Sequence, residues 1–292
     1  MSDRSTADLL DPQRLSGERI ERYLRQHGLA ARKRQSQNHL VDPQVLEDIV
    51  ALADPVPGRH VLEIGPGLGI LTAALLERGA QVSAVEVDAR LAAHLRARFA
   101  EQLTGDRLRL VEGDALDIPV DELVDPPWDL VANLPYHITS PVLHHVLAAE
   151  ARPERFVLML QREVAERIAA EPGGMSYLSV FVQYHAAARV ARIVPASAFE
   201  PAPDVQSALL FGETRQRRLA ANDEEGLWRL VQAGFRERRK MLHNVLLRQL
   251  SHVGRERIDG ALAAAGIAAD RRPQTVSVEE WLALREAIGP LG

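Results

Sequence analysis

Four consecutive residues bring an amide oxygen, a backbone carbonyl and an aromatic ring together: Asn133, Leu134, Pro135 and Tyr136. These groups suit methylation of the amino group on a flat base. The nitrogen lone pair of such an amine is delocalised, so two acceptors aimed at its hydrogens favour the pyramidal form that can attack a methyl group. We expect the Asn133 side chain and the Leu134 carbonyl to be those acceptors, and Tyr136 to stack on the base. The same residues could instead form an ordinary turn after a buried strand.

A glycine-rich turn follows Glu63 and contains Gly65, Gly67 and Gly69. Glycines between a strand and a helix allow the backbone to approach a ligand closely. A dinucleotide would place its pyrophosphate on the helix N-terminus, but its usual spacing is G-x-G-x-x-G, whereas here it is G-x-G-x-G. S-adenosylmethionine needs room for an amino acid and a sulfonium, with no phosphate to neutralise. The turn by itself leaves both cofactors open.

Two acids follow the next predicted strands. Glu86 ends the second strand and could hold ribose hydroxyls, while Asp114 follows the third and could accept a hydrogen bond from an adenine amino group. Each has a plainer explanation, since Glu86 could cap the helix that begins near Asp88 and Asp114 could close a turn. Together with the glycine turn and Asn133, they place four features at the ends of four successive strands. This pattern favours the methyl donor over a nicotinamide cofactor.

These features require alternating strands and helices to position them. The predicted strands are His60–Ile64, Gln81–Glu86, Leu108–Glu112, Trp128–Ala132 and Phe156–Leu160, followed by two possible paired strands, Leu178–Ile193 and Val205–Phe211. The predicted helices between them are Leu71–Glu77, Asp88–Phe99, Pro141–Ala149 and Arg162–Ala170, with Glu18–His27 and Pro43–Leu52 before them. The pattern predicts an α/β fold with a doubly wound, Rossmann-like sheet and an antiparallel edge.

From about Asn222 the pattern is wholly helical, with predicted helices Glu225–Phe235, Lys240–Leu250, Arg255–Ala265 and Val278–Ile288. A chain of 292 residues accommodates one main domain and a smaller one. We expect an N-terminal extension over residues 1–35, a methyltransferase domain over residues 36–215, and an all-α domain over residues 216–292.

Composition narrows the functional classes. The chain has no cysteine and no apolar run that could span a bilayer, and its polar start shows no signal or transit peptide. We therefore expect a cytoplasmic protein without a metal or a thiol nucleophile. The net charge of −5 argues against a uniformly basic surface, but basic residues cluster locally. The clusters are Arg32-Lys33-Arg34, Arg215-Gln216-Arg217-Arg218, Arg236-Glu237-Arg238-Arg239-Lys240 and Arg271-Arg272.

From roughly Tyr23 to the C-terminus, the sequence resembles the ribosomal RNA adenine N6,N6-dimethyltransferases, and within them the small-subunit enzymes. The segments that carry the resemblance are Gln37-Asn38-His39-Leu40, Glu63 to Gly69, Asn133 to Tyr136, Val194-Pro195, Phe199-Glu200-Pro201-Ala202-Pro203, Val205-Gln206-Ser207 and Phe235 to Leu242. His39 stands where the family has phenylalanine and Ser36 where it often has glycine, and residues 173–179 look shortened.

The resemblance implies a role for each matched position. S-adenosylmethionine would contact Asn38, Leu40, Gly65, Gly67, Glu86, Asp114 and Asn133. The target adenine would lie at Asn133, Leu134 and Tyr136, with Phe199 closing the base pocket, because a flipped-out base regains stacking from aromatic side chains. The helical domain would bind RNA through Arg236, Arg238, Arg239 and Lys240.

The resemblance also implies the reaction and the partner. The enzyme, a monomer, would dimethylate N6 of two adjacent adenines near the 3′ end of small-subunit ribosomal RNA within a pre-assembled small subunit. Two alternatives remain. One is a large-subunit adenine methyltransferase of the antibiotic-resistance type, and the other is a non-catalytic ribosome-assembly factor that keeps the fold.

Overall fold

The computed structural model describes residues 8–29 and 38–291. Arg32-Lys33-Arg34 and Ser36 lie outside the described residues. The chain divides into two compact units, each taken here in its described part. The first comprises Met1–Ala165 and Arg189–Thr214, and the second comprises Glu166–Ala188 and Arg215–Gly292.

Strands in the described residues form two sheets. They are β1 (His39–Leu40), β2 (His60–Ile64), β3 (Gln81–Glu86), β4 (Leu108–Glu112), β5 (Trp128–Asn133), β6 (Arg155–Gln161), β7 (Ala186–Val194), β8 (Phe199–Glu200) and β9 (Ser207–Thr214). The large sheet has the order β4-β3-β2-β5-β6-β9-β7, and β1 and β8 form a separate antiparallel pair.

The large sheet is parallel from β4 to β6 and antiparallel where β9 joins β6. The chain runs outward from β2 through β3 and β4, and then crosses to the other side of β2 at β5. The strand order therefore reverses between β2 and β5, and ligands of such sheets bind beyond the carboxyl ends of the strands at that point. The prediction of a Rossmann-like α/β fold with an antiparallel edge is confirmed.

Helices connect these strands. They are α1 (Gly17–His27), α2 (Pro43–Ala53), α3 (Ile70–Glu77), α4 (Ala89–Arg98), α5 (Ala100–Thr104), α6 (Thr139–Ala148) and α7 (Arg162–Ile168). Local chemistry explains several starts. Asp42 accepts hydrogen bonds from the backbone amides of Gln44 and Val45, and Pro43 occupies the first turn of α2, where its missing donor costs nothing.

One acid lies inside a buried strand. Asp129 on β5 is 2% exposed. Its carboxylate accepts hydrogen bonds from Nε and Nη2 of Arg59 at 2.8 and 2.7 Å, and from Nη2 of Arg155 at 2.9 Å. A buried carboxylate is stable only when its lone pairs are satisfied in this way. The cluster ties residues at the starts of β2, β5 and β6 together.

The second unit has its own apolar core, built from α8 (Tyr177–His185), α9 (Ala221–Phe235), α10 (Leu242–Gln249), α11 (Arg255–Ala264) and α12 (Val278–Ile288). Trp281, Leu230 and Leu246 have no exposed surface. Ser277 and Glu280 form a reciprocal cap at the start of α12, which satisfies two of its free backbone donors. Apart from boundary shifts of a few residues, α9 to α12 match the helices predicted for the C-terminal region.

The predicted strand Leu178–Ile193 is wrong in its first half, because residues 177–185 form the helix α8 and only residues 186–194 form a strand. The aromatic and β-branched residues of this segment favour a strand locally. Ser176 and Ser179 nevertheless form a capping box, and Val180 and Tyr184 are buried in the core of the second unit. Tertiary packing therefore overrides local propensity.

The same segment corrects the predicted domain boundaries. Residues 36–215 do not form one unit, since Glu166–Ala188 belongs with the helical unit. The reason is again burial, because Met175, Val180 and Tyr184 contribute to the core that also contains Leu227 and Trp281. The chain passes from the first unit to the second again between Thr214 and Arg215.

None of the helices in residues 8–29 and 38–291 is both long and apolar enough to cross a bilayer. Over the same residues, no three or more histidine, aspartate or glutamate side chains are grouped so that they could hold a metal ion.

Candidate active site

A cavity of about 300 Å³ lies in the first unit, where the strand order reverses. The residues that line it include 38–40 on and before β1, the turn after β2, the end of β3, the loops after β4 and β5, and Phe199 on β8. The predicted residues that the structure brings together here are Asn38, Leu40, Gly65, Gly67, Glu86, Asp114, Asn133, Leu134, Tyr136 and Phe199. Their roles as ligand contacts remain a proposal.

The glycine turn has a backbone that only glycine adopts readily. Gly65, Gly67 and Gly69 have φ values of 72°, 59° and 74°. A side chain at Gly69 would also place its Cβ 2.5 Å from the ring of Phe99 on the helix side of the turn. The turn is fixed by hydrogen bonds from the Gly65 amide to the Val85 carbonyl at 2.9 Å and from the Gly69 amide to the Pro66 carbonyl at 2.8 Å.

Glu86 is bonded directly to this turn. Its Oε2 accepts the Gly67 amide at 3.1 Å and its Oε1 accepts the Asp88 amide at 2.9 Å. Burial raises the pKa of Glu86, and the two amide donors oppose that rise by stabilising the carboxylate. A carboxylate has about four acceptor positions, so Glu86 can hold two ligand hydroxyls while keeping both amides. The alternative in which Glu86 caps α4 is not what the structure shows, since the side chain that caps α4 is Asp88.

Glu63 is a pocket residue to which the sequence analysis assigned no role. It is 2% exposed, and the Thr72 hydroxyl donates to its Oε2 at 2.6 Å. Burial raises the pKa of Glu63 to about 8, with a smaller contribution in the same direction from the charge of Glu86. An acid within the otherwise apolar strand His60–Ile64 was the sequence signal for this residue.

Asp114 also lines the cavity. Its side chain is exposed, and its Oδ1 accepts the Leu116 amide at 2.9 Å, which holds the loop after β4 in a turn. The turn-closing role is therefore real, and it leaves the other carboxylate oxygen available to a ligand. Asp114 can therefore close the turn with Oδ1 and still accept a hydrogen bond from a ligand with its other oxygen.

The loop of residues 133–136 is fixed to the neighbouring strand. Asn133 pairs in register with Met159 on β6, and the Leu134 amide donates to the Met159 carbonyl at 3.1 Å. The Pro135 carbonyl then accepts the Ile138 amide at 3.1 Å, which starts a short 3₁₀ turn. The loop is thus a turn after a buried strand, and the turn holds the acceptor groups at the wall of the cavity.

Phe199 reaches the cavity through the small sheet. The register of β1 and β8 places Leu40 opposite Phe199 and His39 opposite Glu200, and the Val41 amide donates to the Ala198 carbonyl at 2.8 Å. This pairing brings Asn38, Leu40 and Phe199 to one wall, although about 160 residues separate them.

His39 is 8% exposed, and its Nε2 has no hydrogen-bond partner in the described residues. Burial lowers the pKa of His39 to about 4, so the ring is neutral at pH 7. The ring therefore serves as a buried packing group in the first unit, as the phenylalanine of the family would. The structure favours the interpretation of His39 as a packing replacement over that of a titrating group.

The charges around the cavity distinguish between the two cofactor classes. The acids that line it among the described residues are Glu86, Asp88 and Asp114, together with Glu63, which is mostly neutral at pH 7 because its pKa is raised, and none of the lining residues is an arginine or lysine. The Gly67 amide, which could have faced a phosphate, is already bonded to Glu86. An acidic cavity with no cation suits a sulfonium and an ammonium group and disfavours a pyrophosphate. The residues present therefore fit S-adenosylmethionine.

The predicted RNA-contacting residues lie in the second unit. Arg236, Arg238, Arg239 and Lys240 are exposed in the loop between α9 and α10. The Leu242 amide donates to the Arg271 carbonyl at 2.7 Å, which brings the loop containing exposed Arg272 beside this basic loop. Arg271 itself is bonded to Glu280. The sequence alone does not show which of the two adjacent arginines is exposed, because the ion pair of Arg271 is formed only in the folded structure.

Comparisons with known proteins show the family of the chain. The family model described as ribosomal RNA adenine dimethylase matches residues 28–288. The chain is 43% identical over 274 residues to a protein of Anaeromyxobacter sp. (strain K) named ribosomal RNA small subunit methyltransferase A, and the match covers 91% of this chain and 96% of that protein. A protein of the same name from Geobacter metallireducens is 41% identical over 276 residues, covering 92% and 99%.

Two solved structures are similar. The 23S rRNA methyltransferase ErmE has a TM-score of 0.66 and 30% identity, and the match covers 86% of this chain and 99% of that one. A dimethyladenosine transferase from Plasmodium falciparum has a TM-score of 0.69 at 24% identity, covering 84% and 95%, and supports the fold alone. The chain therefore belongs to the ribosomal RNA adenine dimethylase family and is a methyltransferase that uses S-adenosylmethionine.

Proposed function

We propose that this enzyme dimethylates N6 of two adjacent adenines near the 3′ end of small-subunit ribosomal RNA. The observation that carries the proposal is that Asn133 and Leu134 line the same acidic cavity as the aromatic residues Tyr136 and Phe199. The relatives named small subunit methyltransferase A support the choice of subunit.

The cofactor groups have partners in this proposal. Glu86 holds the ribose hydroxyls, Asp114 accepts from the adenine amino group, and the turn at Gly65 and Gly67 passes close to the amino-acid part. Asn38 and Leu40 close the cavity from β1. Each of these residues lines the same cavity.

The residues of the catalytic loop orient the target base. The Asn133 amide oxygen and the Leu134 carbonyl accept the two N6 hydrogens, and Tyr136 and Phe199 stack on the base. The bound cofactor supplies an electrophilic methyl group on a sulfonium. As the bond from N6 to the methyl carbon forms, the carbon–sulfur bond breaks and its electron pair stays on sulfur, giving S-adenosylhomocysteine.

The proton leaves N6 after transfer. Asn133 has no basic group at neutral pH, so we assign it a positioning role and let the cationic methylated nitrogen lose its proton to water. Replacing Asn133 with alanine should reduce turnover strongly even at a cofactor concentration that saturates the variant. Full turnover by an Asn133→Ala protein that binds both cofactor and RNA would contradict this mechanism.

The exposed loop of the second unit supplies the RNA-binding surface in this proposal. Arg236, Arg238, Arg239 and Lys240 have no carboxylate partner among the described residues, so their charges are available to phosphates. Neutralising them should reduce the slope of log affinity against log salt by about 0.7 to 0.9 for each phosphate that is no longer neutralised. Arg229→Gln is the matched control, because Arg229 lies in the same unit and is paired with Glu225.

The substrate experiment separates the alternatives. The purified protein is incubated with labelled S-adenosylmethionine and either undermethylated small subunits or protein-free large-subunit RNA, and modified adenines are mapped by mass spectrometry. Dimethyladenine confined to the small subunit supports the proposal. Label in large-subunit RNA would select the activity named for ErmE, and tight subunit binding without label would select an assembly factor.

We further propose that the enzyme acts in the cytoplasm, as a monomer, on an assembled small subunit rather than on naked RNA. The names of the two relatives support small-subunit ribosomal RNA as the substrate. Light scattering of the purified protein and a comparison of methylation rates on subunits and on protein-free small-subunit RNA test the oligomeric state and the substrate particle.

A further inference from the structure

The hydroxyl of Tyr136 is held by a residue that the mechanism above does not use. Tyr136 Oη lies 2.9 Å from Oγ of Ser207, which is 71 residues later in the chain. Ser207 has no exposed surface, whereas the ring of Tyr136 is half-buried at the cavity. The exposed part of the ring is therefore available to a base, while its hydroxyl is anchored inside the protein.

Ser207 is itself held rigidly. It is the first residue of β9 and pairs in register with Gln161 at the end of β6. The preceding residue is also fixed, because the Gln206 carbonyl accepts the Arg162 amide at 2.9 Å and the Gln206 side-chain oxygen accepts Nη1 of Arg162 at 2.9 Å. The serine oxygen thus has a position set by the sheet rather than by a mobile loop.

The strand β6 fixes both ends of this arrangement. The Leu134 amide is bonded to Met159 on β6, two residues before Gln161. The strand β6 therefore positions both groups. It holds the acceptors for N6 through the backbone hydrogen bond to Leu134, and it holds the hydroxyl of Tyr136 through Ser207, which pairs with Gln161. A change in the hydrogen bond between Tyr136 and Ser207 would alter the angle of the ring without moving the acceptors.

We infer that Ser207 is a positioning residue for methyl transfer, acting through the hydroxyl of Tyr136 to set the plane on which the target adenine stacks. The inference rests on the proposed function. It has a particular consequence for the second transfer. After the first methylation N6 carries one hydrogen, so it can donate to only one of the two acceptors and stacking carries a larger share of the orientation.

The test is a double-mutant cycle on the full chain with undermethylated small subunits as substrate. Ser207→Ala and Tyr136→Phe each remove one hydroxyl and leave the other without its partner. We expect each to lower kcat/KM on the order of tenfold, and the double variant to show a similar defect rather than a hundredfold one. All three should also raise the ratio of monomethyladenine to dimethyladenine at equal total label.

Cofactor binding separates this role from a general structural one. S-adenosylhomocysteine affinity, measured by calorimetry, should stay within about twofold of the wild-type value in each variant, because neither hydroxyl belongs to the cofactor contacts. Ser83→Ala is the matched control. Ser83 is a half-buried strand serine of the same sheet that is not among the residues lining the cavity, and its variant should keep wild-type turnover and product ratio.

Additive defects in the double variant, or an unchanged product ratio in both single variants, would overturn the inference. If Ser207→Ala fails to fold, the Tyr136→Phe variant tests the inference by itself. Wild-type turnover and a wild-type product ratio in that variant would show that the hydrogen bond between the two hydroxyls has no role in methyl transfer. Failure of the proposed function looks different, because the wild-type protein itself would then leave small-subunit adenines unmodified.

Discussion

Glu63 should make the stability of the first unit depend on pH. Its pKa is raised from 4.5 to about 8 in the folded protein because the carboxyl group is buried, and the hydrogen bond from the Thr72 hydroxyl opposes this rise only in part. A carboxyl group with a raised folded pKa favours folding most below its unfolded pKa, and this contribution is lost as pH rises towards the folded pKa. Stability contributed by Glu63 is therefore complete below pH 4.5 and lost by about pH 8.

The magnitude follows from the shift. From pH 4.5 to pH 7 the change spans about 2.5 pH units, and at 1.36 kcal/mol per unit it amounts to about 3 kcal/mol. Glu63→Gln removes the titration and keeps the shape, and the glutamine oxygen can still accept the Thr72 hydroxyl. The free energy of unfolding of the wild type, minus that of Glu63→Gln, should thus fall by about 3 kcal/mol between these pH values.

The assay is urea unfolding followed by circular dichroism at a series of pH values, with hydrogen exchange of β2 amides assigning the transition to the first unit. Titrating groups that do not interact with Glu63 are common to both proteins and cancel in the difference, whereas Glu86, whose charge raises the pKa of Glu63, adds a smaller coupled contribution. A difference that is constant from pH 4.5 to pH 8 would refute the reasoning, as would one that rises with pH.

Three further substitutions test the packing. Asp129→Ala should lower the free energy of unfolding by about 3 kcal/mol in urea titrations, because it leaves two arginines without their shared carboxylate; a loss below about 1 kcal/mol would show that the cluster is solvated. Gly212→Ala should cost about 3 kcal/mol, since its Cβ would lie 2.1 Å from the buried ring of Phe156, and a wild-type melting temperature would contradict this packing. Gly260→Ala, in an exposed helical position with no atom within 4 Å of the added Cβ, should instead stabilise the second unit by about 1 kcal/mol, and a lower melting temperature would count against the α11 assignment.

The elements of the first unit could be predicted because their signals are local. The strand His60–Ile64 was predicted with the bounds that the structure shows, as were Gln81–Glu86 and Leu108–Glu112. An apolar run bounded by glycine or proline carries the information for a buried parallel strand within itself. Since the carboxyl ends of parallel strands meet at one edge, the sequence also predicted that the glycine turn, Glu86, Asp114 and Asn133 would line one cavity.

Other features depend on contacts between residues far apart in the chain. Residues 177–185 have a strand-forming composition but are a helix, because burial against the core of the second unit outweighs their local preference. No local signal could have assigned residues 166–188 to that unit, since membership depends on which core buries Val180 and Tyr184.

By itself, then, the sequence determined the order of the elements, the strained glycine turn and the types of group at each strand end, because backbone conformation and hydrophobic periodicity act over a few residues. Only the tertiary structure decided that β1 pairs with β8 to bring Phe199 to the cavity, that Ser207 holds the Tyr136 hydroxyl, and that no described cation lines the site. Those outcomes depend on which distant segments exclude water together, and no short stretch of sequence specifies that.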